Sequence, residues 1–188
     1  CVCVVDPPPL CEECGESPCV CKKRAKVKIK LADGKYRSIK HMMQTTFWSP
    51  DGKPMSAQEF VERLFGKLPE LFKNEDELRA LWSKPDTRKA LLAGLADQGF
   101  AETELTEVGR LIDAEKSDLF DVLAYIAYAS SPLTREERVE SSKNVIFMQY
   151  ADREQVFLDF VLAEYVKEGV GELDDDKRPA LLELKYAG

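Results

Sequence analysis

A series of helix-start signals, beginning at Ser56, constrains the fold of this chain more than any other feature of its sequence. Ser56 and Glu59 have the spacing of a capping box, in which the serine hydroxyl and the glutamate carboxylate each accept a backbone amide at the helix start. Glycines at positions 66, 99 and 169 are typical of helix ends. We therefore predict a mainly α-helical, multi-helix domain. Four more pairs repeat the capping pattern: Asn74 with Glu77, Ser83 with Asp86, Thr134 with Glu137, and Asp152 with Gln155.

These pairs, together with the apolar spacing between them, divide the region into candidate helices joined by short loops. The segment 118–129 is apolar on nearly every face, which predicts a helix buried on most sides. The segment 153–168 carries a broad apolar stripe that includes Val156, Phe160 and Tyr165, so we predict that it is also central. The predicted helices cover residues 57–65, 75–82, 85–98, 103–112, 118–129, 135–146, 153–168 and 178–185.

Two acidic residues at the start of the segment 118–129 need a physical explanation. Asp118 falls where the helix begins, and the helix dipole favours a negative charge there. Asp121 lies one turn into an apolar helix, so it needs a basic partner. The candidate partners are Arg110, Arg135 and Arg138. We expect a structural role for both carboxylates rather than a catalytic one.

The sequence before the helices predicts a β-hairpin. The run 26–31 alternates lysines with apolar residues, and a second alternating run covers 36–42. Asp33-Gly34 between two such runs is a strong hairpin signal. We predict that Val27, Ile29 and Leu31 form one face and the lysines the other. An isolated hairpin is marginal in water, so this one must pack against the rest of the chain. We place the domain boundary after it, with an appendage at 1–54 and a helical domain at 55–188.

The net charge of −7 is unevenly distributed. Residues 22–41 hold nine Lys or Arg and one acid, whereas the chain after residue 50 holds 18 basic and 29 acidic residues, a net charge of −11. The hairpin lysines therefore have two interpretations: they contact nucleic-acid phosphates, or they form a solvated strand face that prevents edge aggregation. Without aromatic residues interleaved, no stacking platform is expected. The candidate nucleic-acid contacts are Lys26, Lys28, Lys30, Lys35, Arg37 and Lys40.

All six cysteines lie within the first 21 residues. Four of them, Cys11, Cys14, Cys19 and Cys21, are close enough for their thiolates to converge on one tetrahedral, structural zinc ion. The second pair has the less usual Cys-x-Cys spacing, and the alternatives are a loop with free or oxidised thiols, or a redox site. Because cysteines are absent from the rest of the chain, we expect a reducing, cytoplasmic compartment.

Catalytic patterns are missing from the sequence. No phosphate-binding Gly-Lys-Ser/Thr loop or dinucleotide-binding glycine motif is present, and His41, the only histidine, has no identifiable nucleophilic partner. No apolar run reaches the length of a membrane span. The first residues have neither an initiator Met nor the pattern of a signal peptide, so we expect a piece of a longer polypeptide. These features predict a binding domain without membrane association or a small-molecule substrate.

The chain resembles the C-terminal region of R (restriction) subunits of type I restriction enzymes over essentially its whole length. Asp118, Phe120, Asp121, Arg135 and Arg138 lie within the most specific parts of this resemblance, which we interpret as a structural motif. The segments that carry the resemblance are Lys26–Lys35, Ile39–Met42, Phe60–Pro69, Leu78–Ser83, Asp113–Tyr125, Pro132–Arg138, Phe157–Leu162 and Tyr165–Leu173.

The resemblance implies a prokaryotic, cytoplasmic parent chain. Such chains carry an endonuclease domain and two ATP-driven, Mg-dependent translocase domains upstream, so no catalytic residue is transferred to this stretch. The resemblance also implies that the helical domain docks the motor onto the methyltransferase core, which consists of modification and specificity subunits. The alternative is a DNA-contacting module that acts through the basic hairpin.

Overall fold

The computed structural model describes residues 26–40, 47–49 and 51–179. In this part of the chain, two small antiparallel sheets precede seven α-helices, and two short 3-10 turns follow at Val170–Leu173 and Asp175–Lys177. The strands are β1 (Lys26–Lys30), β2 (Tyr36–Lys40), β3 (Phe47–Trp48) and β4 (Pro54–Met55). The helices are α1 (Ala57–Leu71), α2 (Glu75–Trp82), α3 (Pro85–Asp97), α4 (Glu102–Leu111), α5 (Leu119–Tyr128), α6 (Arg135–Phe147) and α7 (Asp152–Glu168). The prediction of a mainly helical chain with an antiparallel hairpin is confirmed.

Strands β1 and β2 form the predicted hairpin around a tight turn. The amide of Gly34 donates to the carbonyl of Leu31 at 2.9 Å, and the amide of Leu31 donates to the carbonyl of Lys35 at 3.1 Å. Gly34 has a φ of 77°, a left-handed conformation that glycine adopts without a steric cost. Ile29, Leu31 and Ile39 are buried and join the same apolar core as the helices, so the hairpin packs on the helical part as expected.

Helix α1 is longer than the sequence prediction, which ended it at residue 65 before Gly66. The helix continues to Leu71 and contains Pro69. The reason is the apolar spacing, because Leu64 and Leu68 lie on the same buried face on either side of the glycine. Burial of that face outweighs the modest helix-breaking tendency of one glycine.

Three of the five predicted helix starts agree with the structure, and two do not. The capping boxes at Ser56 and Thr134 are confirmed, and the side chain of Asn74 accepts the amide of Glu77 at 2.8 Å. The pairs predicted at Ser83 and Asp152 are wrong, because α3 and α7 are preceded by Lys84 and Ala151. Pro85 occupies the first turn of α3, and proline favours extended backbone in the residue before it.

Helix α5 lies at the centre of the fold, as predicted. It contacts α1, α2 and α4, and its apolar residues Val122, Leu123, Ala124 and Ile126 are buried. The prediction that α7 is equally central is wrong. Tyr165 is its buried residue, whereas Val156 is 56% exposed. None of the described helices is both long and apolar enough to cross a membrane.

Two sequence predictions fall outside the described residues. The proposed zinc ligands Cys11, Cys14, Cys19 and Cys21 are among residues 1–25, and most of the helix predicted at 178–185 follows residue 179. Within the ranges that the structure describes, no three His, Cys, Asp or Glu side chains are grouped to hold a metal ion.

Candidate functional site

The acidic residues at the start of α5 connect this helix to α7. Asp118 is the N-cap of α5 and is buried. Its Oδ2 accepts a hydrogen bond of 2.6 Å from the hydroxyl of Tyr165, and its Oδ1 lies 3.9 Å from Nη1 of Arg135. A carboxylate at this position also compensates the positive end of the helix dipole. One buried side chain thus stabilises the start of α5 and holds α7 against it.

Asp121 connects α5 to α6. Nη2 of Arg138 lies 2.7 Å from Oδ1 and 2.9 Å from Oδ2 of Asp121, so Arg138 is the basic partner that the sequence left undecided among three arginines. Asp121 also accepts the amides of Leu133 at 3.2 Å and of Asp118 at 3.3 Å. These bonds satisfy a carboxylate that is otherwise expensive to bury.

The two arginines of α6 complete the junction. Nε of Arg135 donates to the carbonyl of Val166 in α7 at 3.1 Å. The guanidinium of Arg138 lies over the ring of Phe120 at 5.6 Å, and the guanidinium of Arg79 lies over the same ring at 5.3 Å. The structure therefore brings together all five residues of the predicted motif at the meeting point of α5, α6 and α7. We call this cluster of Asp118, Phe120, Asp121, Arg135, Arg138 and Tyr165 the three-helix junction.

Burial shapes the titration of the three-helix junction. Desolvation raises the pKa of Asp118 above its ordinary value, although the hydrogen bond from Tyr165 and the charge of Arg135 oppose this rise. Desolvation and the neighbouring carboxylate also raise the pKa of Tyr165, so its hydroxyl remains a donor at neutral pH. Proton transfer from this tyrosine is therefore unfavourable, and its geometry fits a fixed hydrogen bond.

A partly open cavity of about 270 Å³ adjoins the junction. Its wall is mainly apolar and is formed by α2, α5, α6, α7 and the 3-10 turn after α7, with side chains that include Phe120, Ile146 and Leu162. Two of the polar groups at its edge are paired, because Asp118 accepts from Tyr165 and Arg138 donates to Asp121.

A second buried ion pair joins the end of the described chain to α3. Arg88 and Asp174 form a direct hydrogen bond, and their side chains are only 6% and 8% exposed. Arg88 also donates to the carbonyl of Trp82 at 3.1 Å. Three consecutive aspartates, Asp174 to Asp176, are typical of a solvated loop. Asp174 is nevertheless buried, whereas the next two aspartates are exposed. No local pattern could identify this pair, because the partners are 86 residues apart.

The structure corrects one of the predicted nucleic-acid contacts. Arg37 is fully buried and donates to the carbonyls of Tyr125, Ile126 and Ala127 at the end of α5, so it does not face solvent. It lies on the same strand face as Ile39, because residues two apart in a strand point to the same side. That alternation was the signal available in the sequence.

Three of the remaining hairpin lysines bond to other parts of the chain, and the other two are exposed without an ion pair in the described ranges. Lys26 lies 2.7 Å from Asp113, and Lys40 pairs with Asp113 and with Glu115, so these two lysines attach the hairpin to the loop after α4. Lys35 donates to the carbonyl of Tyr128 at 3.3 Å. Lys28 and Lys30 are exposed, and neither forms an ion pair with another residue in the described ranges.

A group of exposed apolar side chains at the turn between α6 and α7 was not predicted from the sequence. Met148 is 85% exposed, and Val145, Tyr150 and Val156 are also largely exposed. Gln155 closes the turn that carries these residues, because its side-chain amide donates to the carbonyls of Phe147 at 3.0 Å and Tyr150 at 2.8 Å. We call Val145, Met148, Tyr150 and Val156 the α6–α7 tip. No local pattern predicts this surface, because exposure depends on which side chains the other helices cover.

The chain is thus a mainly helical domain whose conspicuous charged cluster joins helices. The family model described as EcoEI R protein C-terminal matches residues 58–187, and the chain belongs to this family. It is also 30% identical over 130 residues to the type I restriction enzyme EcoAI endonuclease subunit of Escherichia coli. That match covers 68% of this chain and 15% of the relative, so the chain spans a small fraction of the relative's length. No solved structure matches the chain significantly.

Proposed function

We propose that this chain is a non-catalytic assembly domain that docks an ATP-dependent DNA translocase and endonuclease onto a methyltransferase core of modification and specificity subunits. The R subunit family gives the setting for this proposal. The observation that carries it is the α6–α7 tip, an exposed apolar surface that is separate from the core.

The α6–α7 tip has the properties of a protein-binding surface. Soluble proteins rarely keep neighbouring large apolar residues exposed, and such patches mark interaction sites. Helix α6 contributes no buried residue, although it extends over three turns, and Val145 near its end is exposed. Methionine and tyrosine are also enriched in protein interfaces. The tip therefore offers an apolar centre for a partner subunit.

The three-helix junction supports the proposal by fixing the position of the tip. Arg135 and Arg138 at the start of α6 bind groups of α5 and α7. Near the other end of the helix pair, Lys143 of α6 forms an ion pair with Asp159 of α7. The tip is thus attached to the centre of the fold through part-buried bonds at the junction and an exposed ion pair, and a preorganised surface loses less entropy on binding.

The engaged state of the charged groups supports a non-catalytic role. The carboxylates of Asp118 and Asp121 accept hydrogen bonds from Tyr165 and Arg138, and Asp174 is paired with Arg88. A catalytic carboxylate needs access to the proton or atom on which it acts. In the proposed parent chain, ATP, Mg and the cleavage chemistry belong to domains outside this one.

The test is binding of the tagged 188-residue chain to the purified modification and specificity subunits of the same restriction system. We expect a stable complex with the unmodified chain. The double variant Val145→Glu, Met148→Glu should raise the Kd tenfold or more, because charges in the centre of an apolar interface are costly. Tyr36→Glu, at a residue with comparable exposure, is the matched control and should bind as the unmodified chain does. Absence of binding by the folded chain would reject the proposed function.

A structural zinc ion held by Cys11, Cys14, Cys19 and Cys21 remains a further part of the proposal. The donor set is chemically suitable for zinc, since four thiolates form a closed tetrahedral site. Such a site would order the segment that precedes the hairpin and supply no open position for catalysis.

A further inference from the structure

The hairpin has two chemically distinct faces. Directly opposite residues in an antiparallel pair share a face, and the register pairs Lys30 with Tyr36 and Lys28 with Ser38. The other face consists of buried residues that include Ile29, Arg37 and Ile39. One side of the hairpin is therefore committed to the core, and the side with Lys28, Lys30 and Tyr36 faces solvent. We call these three residues the hairpin platform.

Tyr36 gives the hairpin platform an aromatic component that the sequence interpretation did not recognise. Its side chain is 60% exposed and lies opposite Lys30 across the two strands. No stacking platform is expected from the sequence, because no aromatic residues are interleaved with the lysines, whereas the ring of Tyr36 comes from the second strand. A lysine and a tyrosine on neighbouring strands place a cation beside an exposed aromatic ring.

Charge favours an anionic partner at the hairpin platform. Lys28 and Lys30 are exposed without an ion pair in the described ranges, in contrast to Lys26 and Lys40. The chain after residue 50 carries a net charge of −11, which repels a polyanion from the helical part. A nucleic acid that approaches this chain is thus directed to the hairpin rather than to the helices.

We propose that the hairpin platform binds single-stranded nucleic acid. The ammonium groups of Lys28 and Lys30 contact consecutive phosphates, and the ring of Tyr36 stacks on an unpaired base. Proteins that bind single strands combine a basic groove with aromatic rings in this way. A duplex would use the lysines but leave Tyr36 without a base to stack on, since its bases are already stacked and paired. This binding is separate from the proposed docking function, because the α6–α7 tip contributes nothing to it.

The test is fluorescence anisotropy with the 188-residue chain and three labelled probes: a 20-nucleotide oligo-dT, a 20-nucleotide oligo-U and a 20-base-pair duplex DNA. We expect salt-sensitive binding of the single strands. Lys28→Glu with Lys30→Glu should weaken it at least tenfold. Neutralising these two residues instead, with Lys28→Gln and Lys30→Gln, should lower the slope of log K against log salt by about 1.4, at roughly 0.7 for each phosphate contact. Tyr36→Ser should weaken single-strand binding about five- to a hundredfold and leave duplex binding unchanged, given the stacking energy of roughly 1–3 kcal/mol for each base.

Matched controls keep the result interpretable. Lys73→Glu with Lys84→Glu changes the net charge by the same amount at two exposed lysines elsewhere and should have a much smaller effect. The two single-strand probes distinguish DNA from RNA as the source of the strand. No binding to oligo-dT or oligo-U at low salt by the folded chain would overturn the proposal. Equal loss with the control pair, or the same effect of Tyr36→Ser on duplex and single strand, would also overturn it.

Discussion

Nε of Arg37 lies 2.8 Å from the carbonyl oxygen of Tyr125, in the last turn of α5 and 88 residues further along the chain. Nη2 of the same guanidinium donates to the carbonyl of Ile126 at 2.8 Å. The carbonyl of Tyr125 also accepts the amide of Ala129 at 2.9 Å, whereas carbonyls nearer the end of a helix lack an intrahelical partner. A positive charge there compensates the helix dipole. Asp118 supplies the opposite charge at the start of α5. The central helix is thus stabilised at its start by its own N-cap carboxylate and at its end by an arginine from the hairpin.

We expect the substitution Arg37→Met to lower the free energy of unfolding by about 3 kcal/mol, because it leaves the carbonyls of Ile126 and Ala127 without their side-chain donor. Lys28→Met removes the same charge from a solvent-exposed position on the neighbouring strand and should change it by less than about 0.5 kcal/mol. Urea unfolding monitored by circular dichroism measures both values. Equal effects of the two substitutions would mean that the hydrogen bonds from Arg37 do not stabilise α5.

The aspartates at 174 and 176 provide a second comparison. Asp174→Ala leaves the buried guanidinium of Arg88 without its carboxylate and should cost about 3–5 kcal/mol. Asp176→Ala changes an exposed residue two positions away and should cost less than about 0.5 kcal/mol. Thermal unfolding of the two variants tests this difference. Similar melting temperatures would contradict a stabilising role for the Arg88–Asp174 pair.

The buried carboxyl of Asp118 predicts an unusual dependence on pH. Burial raises its folded-state pKa above the ordinary value of 3.8, despite the opposing hydrogen bond from Tyr165. The folded chain therefore binds a proton at a higher pH than the unfolded chain does. Consequently, the contribution of Asp118 to the free energy of unfolding increases as pH falls through the folded-state pKa, and it levels off below 3.8.

Comparison with Asp118→Asn isolates this contribution, because asparagine keeps an acceptor for Tyr165 but does not titrate. We expect the unfolding free energy of the unmodified chain to increase relative to that of the variant between pH 7 and pH 4. The comparison with the variant is needed because the folded-state pKa values of Asp33 and Asp113 are lowered. The contributions of these two residues to the free energy of unfolding therefore decrease as pH falls. A relative decrease for the unmodified chain would show that the pKa of Asp118 is not raised.

The cysteine segment gives a prediction about metal content. Elemental analysis of the purified 188-residue chain should find about one equivalent of zinc, which Cys11→Ser with Cys14→Ser should abolish. Removal of zinc by a chelator should raise the number of titratable thiols by four without unfolding the helices, whose core lies elsewhere. Less than about half an equivalent of zinc, together with all six thiols free in the untreated chain, would refute the site.

Local patterns were sufficient to predict much of the helical fold. The start of α5 is encoded by Asp118 and Asp121, and its burial follows from a segment that is apolar on nearly every side. Ser56 and Thr134 mark the starts of α1 and α6 in the same way. Where two local signals conflicted, the apolar spacing prevailed, as at Gly66 within α1. Caps and amphipathic spacing are properties of neighbouring residues, so one sequence is enough to reveal them.

The candidate sites depend on contacts between residues that are distant in the sequence, and local sequence patterns do not predict such contacts. The bond from Tyr165 to Asp118 spans 47 residues, and no spacing rule connects them. Arg37 is a different case, since alternation with Ile39 already placed it on the apolar face. The alternation was therefore enough to predict that the side chain of Arg37 does not face solvent. The exposed α6–α7 tip required the fold, because exposure depends on which side chains other helices cover.

Competition for the methyltransferase core tests the proposed docking function most directly. The full-length R subunit is titrated onto purified modification and specificity subunits in the presence of increasing amounts of the 188-residue chain, and complex formation is measured by analytical ultracentrifugation. We predict that the chain displaces the full-length subunit, and that the variant Val145→Glu, Met148→Glu does so at least tenfold less effectively. Undiminished assembly of the full-length subunit at saturating concentrations of the folded chain would contradict a docking role for this domain.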